Sequence, residues 1–216
     1  MAELIHGLQV EQVRANLERA RAAIAQTGRD PADVQIVAAV KYVPLEELAV
    51  LAGAGLELLG ENRAQDLAAK ADAYPGRFAW DFIGALQSRK VRQIVPYVRY
   101  IHSVASDSAL AQLERHARPE TEVLIQVNVA GEESKIGIEP TELGSFLERC
   151  PVKVVGLMTM PPFTSDPEAS RPYFVALREL AERHHLPHLS MGTSQDYSVA
   201  VEEGATIVRL GTSLYS

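Results

Sequence analysis

The sequence predicts a single (β/α)₈ barrel spanning residues 1–216, and three observations predict it. Helical and strand periodicities alternate along the whole chain, the strand-like runs number eight, and 216 residues lies near the low end of the size range of such barrels. Residues 10–26 place Val10, Val13, Leu17, Ala20 and Ile24 at helical spacing, an extra helix ahead of the first strand. The run 35–40 is short, apolar and rich in β-branched residues, as a parallel strand buried on both faces should be. Pro44 opens a helix at 45–51, a strand follows at 56–59, and a helix at 62–73. Further strands are expected at 78–83, 100–104, 123–129, 152–157, 188–191 and 206–210. Helices at 88–95, 107–116, 141–148, 172–184 and 194–203 separate them, so every strand but the last is followed by a helix. A doubly wound open sheet satisfies the same periodicity. No linker or repeat divides the chain, and the longest irregular stretch, 158–170, carries Pro161, Pro162 and Pro167.

Composition narrows the function. A hydrophobic fraction of 47% supports a full core, and a mean hydropathy of −0.04 suits a soluble globule. Lys and Arg number 21 against 28 Asp and Glu, a net charge of −7 that repels polyanions. Nucleic acid and anionic membranes are therefore not expected partners, and an anionic ligand needs a local pocket. Cys150 is the single cysteine, so no intrachain disulfide forms, in keeping with a reducing compartment. The first ten residues lack the basic-then-apolar pattern of a signal peptide, and no run has the length of a membrane span. A cytoplasmic protein is expected.

In barrels of this kind, sites form at the carboxyl ends of the strands. Strand one ends in Lys41, which points inward if it shares the parity of Val37 and Ala39. Desolvation there disfavours an ammonium and would make the amine a nucleophile for carbonyl groups. Taken alone, a lysine that snorkels to solvent or pairs with Glu61 is the plainer reading. Strands seven and eight add Gly192-Thr193-Ser194, with Ser194 expected near a helix N-cap, and Gly211-Thr212. Loops after these two strands often bind phosphate. Arg209, two residues before Gly211, shares its strand face and would project into the mouth, where a guanidinium beside a heteroaromatic nitrogen keeps that nitrogen unprotonated. An internal salt bridge across the barrel explains Arg209 equally well. Lysine, phosphate cradle and arginine together suggest pyridoxal 5′-phosphate (PLP).

The ordered segments VAAVK at 37–41, LGEN at 59–62, WDFIG at 80–84 and LQS at 86–88 with Lys90 resemble a known family, the pyridoxal phosphate homeostasis proteins (YggS or PROSC). The resemblance continues through QVNV at 126–129, GEESK at 131–135, GLM at 156–158, LSMG at 189–192 with Ser194, and VRLGT at 208–212. It implies a fold-type III barrel similar to the N-terminal domain of alanine racemase. It also implies that Lys41 carries PLP as a Schiff base and Arg209 faces the pyridine nitrogen. Gly211, Thr212 and Ser194 would then bind phosphate, Asn62 would lie near the ring and Met158 would line the pocket. Lys90 and Lys135 fall in family motifs but read as solvated surface lysines. One departure is Asp81, where the family often has histidine; if that position touches the pocket, a donor there has become an acceptor.

Three functional readings follow. The first is a non-catalytic protein that sequesters PLP, sets its free level and passes it to PLP-dependent apoenzymes. The second is an amino-acid racemase, which needs a second base on the opposite face of the coenzyme. In alanine racemase a tyrosine from another subunit serves, with a further domain helping to assemble the dimer. This chain stops at Ser216, just after strand eight, and Tyr215 reads as packing, so the carrier is favoured and a monomer expected. The third is a Schiff-base aldolase acting on a sugar phosphate, against which the run of motifs argues. The six histidines, His6, His102, His116, His184, His185 and His188, show no metal-ligand spacing, and no metal is expected.

Overall fold

A computed structural model describes residues 4–131 and 136–216. Helix α1 (Val10–Gln26) leads into β1 (Gln35–Ala39), and the alternation then runs α2 (Leu48–Gly53), β2 (Leu58–Glu61), α3 (Ala64–Ala73), β3 (Ala79–Phe82) and α4 (Val91–Ile94). It continues through β4 (Tyr100–Val104), α5 (Asp107–His116), β5 (Glu122–Gln126), α6 (Leu143–Arg149), β6 (Lys153–Met158) and α7 (Arg171–Arg183). The last elements are β7 (His188–Thr193), α8 (Tyr197–Glu202), β8 (Ile207–Leu210) and α9 (Thr212–Tyr215). The strands pair in sequence order, and β8 closes on β1 in parallel register, Val37 opposite Arg209. The sheet is a closed barrel, which settles the choice against an open one.

Closure divides the apolar side chains into two cores. One lies between sheet and helices and takes the alternate strand residues Ala38, Leu59, Ile101, Val123 and Val208 together with the inner helix faces. The other fills the barrel itself: Val37, Tyr100, Leu124, Val155, Met158 and Ile207, with Leu58 and Ile83 against them. Gly60 sits within this interior, where a Cβ would come 2.6 Å from Val37 Cγ1 and 2.7 Å from Ile83 Cδ1. The missing side chain is what lets β2 face a filled centre.

Several boundaries differ from those expected. Strand β2 runs to Glu61 rather than stopping at Leu59, since glycine and glutamate hide a strand whose last residue is buried by an ion partner. The helices expected at 45 and 88 open as single 3₁₀ turns, Leu45–Glu47 and Ser88–Lys90. A one-turn helix, α9, follows β8, too short to show a period. No helix among the described residues is long and apolar enough to cross a membrane.

Candidate functional site

Lys41 follows β1 in a tight turn closed by the Val43 N–H donating to Val40 O at 3.1 Å. The turn is anchored from beneath. Lys70 on α3, only 6% exposed, donates to Val40 O and to Glu61 Oε2, both at 2.7 Å. Glu61 Oε1 in turn accepts from the Asn62 and Arg63 N–H groups. Glu61 is therefore the partner of Lys70, not of Lys41, and one buried ion pair sets the backbone under both Lys41 and Asn62. Lys41 itself is partly buried, its Nζ 4.7 Å from the centroid of the Tyr42 ring. The Asn62 backbone is pinned again by Gly84, whose added Cβ would lie 2.2 Å from Asn62 O.

On the opposite flank, the turn after β7 differs from the expected helix cap. Helix α8 begins at Tyr197, so Ser194 lies in a preceding turn and does not cap it. Asp196 shapes that turn: its Oδ1 accepts from Thr193 N–H and Thr193 Oγ1, and its Oδ2 accepts from Ser170 Oγ. Gly192 makes the turn possible, with φ +90° and a Cβ position 2.6 Å from Ala200 Cβ. The Ser194 hydroxyl is thereby set against β8, where Gly211 N–H, Ser213 N–H and Ser213 Oγ all converge on its oxygen at 3.0–3.2 Å. Outside this cradle lies a cavity of about 460 Å³, bordered by Asn16 and Arg19 of α1, Ser194, Thr212 and Ser213. Thr212 is exposed beside it, at the start of α9.

Arg209 is 5% exposed and lies inside the barrel. Its Nη1 donates to Ser190 O (2.8 Å) and Ser190 Oγ (2.5 Å), and its Nη2 to Thr159 O (2.8 Å) and Met160 Sδ (2.9 Å). These acceptors are all neutral, so no salt bridge across the barrel is seen for Arg209 among the described residues. Burial pushes its pKa down to about 10, against the pull of Asp196. Met158, 2% exposed, belongs to the interior cluster and lies in register with Ser190. Gly211 faces the same interior, its Cβ position 3.6 Å from Ala39 Cβ.

The seven residues singled out from the sequence lie at or just beyond the carboxyl ends of five adjacent strands. Around the barrel the order is Asn62 (β2), Lys41 (β1), Arg209 with Gly211 and Thr212 (β8), Ser194 (β7) and Met158 (β6), with Thr212 the outermost. Four further residues, Lys70, Asp196, Ser190 and His102, are not singled out by the sequence. Ser190 has a signal, since it shares the parity of Gly192 and stands between the apolar Leu189 and Met191; Lys70 has none. Asp81 lies within the barrel, fully buried, against Arg99 and His102, so its departure from the family pattern concerns the interior rather than the mouth. Lys90 is partly exposed and bonded to Gln93, while Lys135 lies outside the described residues. The Tyr215 hydroxyl is buried and has no hydrogen-bond partner among the described residues; burial raises its pKa, with the charge of Glu61 adding to the rise.

The donor set suits a phosphorylated aldehyde: an amine at one strand end, a convergence of N–H and hydroxyl donors on the neighbouring strands, and a guanidinium between them. Comparison with known proteins agrees. No family model matches the chain. It is 42% identical to the pyridoxal phosphate homeostasis protein of Aquifex aeolicus, over 95% of this chain and 96% of that one. The human protein of the same name is 34% identical, over 94% of this chain and 84% of its own. Among solved structures, PipY of Synechococcus elongatus with PLP bound superimposes with a TM-score of 0.79 at 29% identity, covering 94% of this chain and all of that one. A lysine/ornithine decarboxylase from Vibrio vulnificus, 15% identical with a TM-score of 0.68, shares the fold over 99% of this chain and 64% of its own length. By the extent and level of its identity to these relatives, the chain belongs to the pyridoxal phosphate homeostasis protein family.

Proposed function

We propose that this chain, acting as one domain over residues 1–216, binds PLP as a Schiff base on Lys41 and serves PLP homeostasis without catalytic turnover. The observation that carries the reading is the convergence of Gly211 N–H, Ser213 N–H and Ser213 Oγ on a single oxygen beside the strand that ends in Lys41. Three donors already turned toward one point suit a phosphate oxygen arriving beside the Ser194 hydroxyl, because they exchange or share an acceptor without any rebuilding of the backbone.

Each residue then has a distinct role. Lys41 supplies the amine, and the Lys70–Glu61 pair fixes the turn from which it projects. Ser194, Gly211 and Thr212 take the phosphate. Arg209 faces the pyridine nitrogen and, being cationic, keeps it unprotonated. Asn62 borders the ring and Met158 floors the pocket. When bound, the coenzyme would supply a carbonyl for condensation with amines and a ring that draws electrons.

The non-catalytic part of the reading is supported by the relatives' shared name and by Tyr215. A racemase needs a second proton-transferring group. The Tyr215 phenol, buried and held protonated by its surroundings, is a poor base. Under this reading the protein is a cytoplasmic monomer whose partners are PLP and PLP-dependent apoenzymes.

The test is a visible spectrum of purified protein before and after borohydride reduction, with peptide mapping of the reduced adduct. Yellow protein with the adduct on Lys41, colourless Lys41→Ala and no racemisation of free alanine are expected. An adduct elsewhere, or none, defeats the binding reading; rapid racemisation defeats the carrier.

A further inference from the structure

A polar chain crosses the barrel behind Arg209. On the inward faces of four strands stand Asp81 (β3), His102 (β4), Ser190 (β7) and Arg209 (β8), at most 5% exposed. Their contacts are continuous. Arg209 Nη1 lies 2.5 Å from Ser190 Oγ, Ser190 Oγ 2.8 Å from His102 Nδ1, and His102 Nε2 3.1 Å from Asp81 Oδ2. Arg99 closes the far end with two contacts to the Asp81 carboxylate, 2.8 and 3.1 Å.

The protons along this chain have one consistent arrangement. Arg99 and its carboxylate form an ion pair, so Asp81 can only accept. His102 must then carry its proton on Nε2 to donate to Asp81. That leaves Nδ1 as an acceptor, and the Ser190 hydroxyl donates to it. The Ser190 oxygen keeps its lone pairs for Arg209. Every donor therefore points from Arg209 toward Asp81, and bonds aligned in one sense polarise one another. The buried carboxylate acts on the guanidinium through two neutral groups.

We infer that Asp81, His102 and Ser190 are positioning residues for Arg209: they fix the plane of its guanidinium and so aim it at the ring nitrogen of the bound coenzyme. The inference rests on the PLP reading above. None of the three touches the mouth through a contact of its own, so any effect on the coenzyme travels through Arg209. The chain also gives Asp81 a use: its second oxygen holds the far end of the relay, while Arg99 keeps it ionised.

The experiment measures the dissociation constant for PLP and the wavelength of its visible band in wild type, Asp81→Asn, Ser190→Ala and the double variant. Each single substitution should loosen PLP roughly tenfold, about what losing one hydrogen bond to a charged group does. Each should also move the band. The double variant should be no worse than the weaker single one, because a chain cut once is already cut. A purely structural role would lower thermal stability and leave the band in place. Unchanged affinity and band in both single variants, or losses that multiply in the double, overturn the inference. If Asp81→Asn does not fold, Ser190→Ala decides alone, since it leaves Arg99, Asp81 and His102 in contact. Borohydride mapping of each variant keeps the two ideas apart: an adduct on Lys41 with wild-type affinity throughout rejects only the relay, whereas wild-type protein that takes up no PLP rejects both.

Discussion

Lys70 and Arg209 are both buried cations behind the same end of the barrel, and they are compensated in opposite ways. Lys70, between sheet and helix, meets a carboxylate, Glu61, and a backbone carbonyl at 2.7 Å each. Arg209, inside the sheet, meets two carbonyls, a hydroxyl and a thioether. A cation closed off by its own carboxylate acts locally and structurally, and here it holds the Lys41 turn. A cation whose direct acceptors are all neutral keeps more of its field, and on the PLP reading that field is available to the ring nitrogen.

The sharpest way to break this comparison is to remove one partner from each cation. Glu61→Gln leaves the Lys70 ammonium buried without its carboxylate, and about 3–5 kcal/mol of folding stability should be lost in urea melts. Arg209→Leu removes a charge that had no carboxylate to strand. It leaves the Ser190 and Thr159 oxygens less satisfied but ends the burial of a guanidinium, so the net change should stay within about 2 kcal/mol. The coenzyme should be the main casualty there. Arg209→Leu destabilising the fold more than Glu61→Gln would show that the two cations do the same work.

The two glycines flanking the cradle sharpen the contrast between what builds the site and what lines it. At Gly192 the positive φ and the 2.6 Å approach of Ala200 act together, so Gly192→Ala should cost about 2–4 kcal/mol. At Gly211 the added methyl meets only ordinary contact, 3.6 Å from Ala39. Gly211→Ala should cost about 1 kcal/mol or less in stability while weakening phosphate binding through crowding at the mouth. Equal melting temperatures for the two variants would remove the distinction.

How much of this is legible in the sequence depends on the range of the interaction. The barrel is, because burial on both faces of eight strands writes a local pattern of short apolar runs. So are Arg209 and Gly211, whose inward parity follows from counting in twos along a strand, and Lys41, whose place just past the end of β1 follows from the same run. Ser194 is legible for a reason that does not hold: the sequence suggests a helix cap, but Asp196 bonds back to Thr193 and delays α8 to Tyr197. Lys70 is not legible. It lies on a helix among Ala and Asp residues, and only tertiary structure brings it to Glu61, nine positions earlier. His102 carries no local sign of its role either, since its partners come from strands that the chain order keeps 88 and 21 residues away.

The smallest effect expected is one of pH, and it separates His102 from Asp81 within their shared chain. Burial lowers the His102 pKa below its ordinary 6.5, more than the bond to Asp81 raises it, so the folded protein holds this ring neutral. The unfolded chain takes up a proton near pH 6.5 that the folded chain refuses, and stability therefore falls as pH drops from that point to the folded pKa. Burial raises the Asp81 pKa, but its bonds to His102 and Arg99 outweigh burial and lower it below 3.8. Its contribution is present above that value and is lost as pH falls further. The windows do not coincide. His102→Gln keeps both hydrogen bonds, an amide N–H to Asp81 and an amide oxygen for Ser190, but cannot titrate. Its unfolding free energy from urea melts should change less with pH just below 6.5 than that of wild type, by at most about 1.4 kcal/mol per pH unit. The flattening should be partial, because burial also lowers the pKa of half-buried His188, which stays in place. An unaltered slope would mean that His102 is charged in the folded state. The Nδ1 proton would then point at Ser190, and the one-directional chain to Arg209 would be broken at its centre.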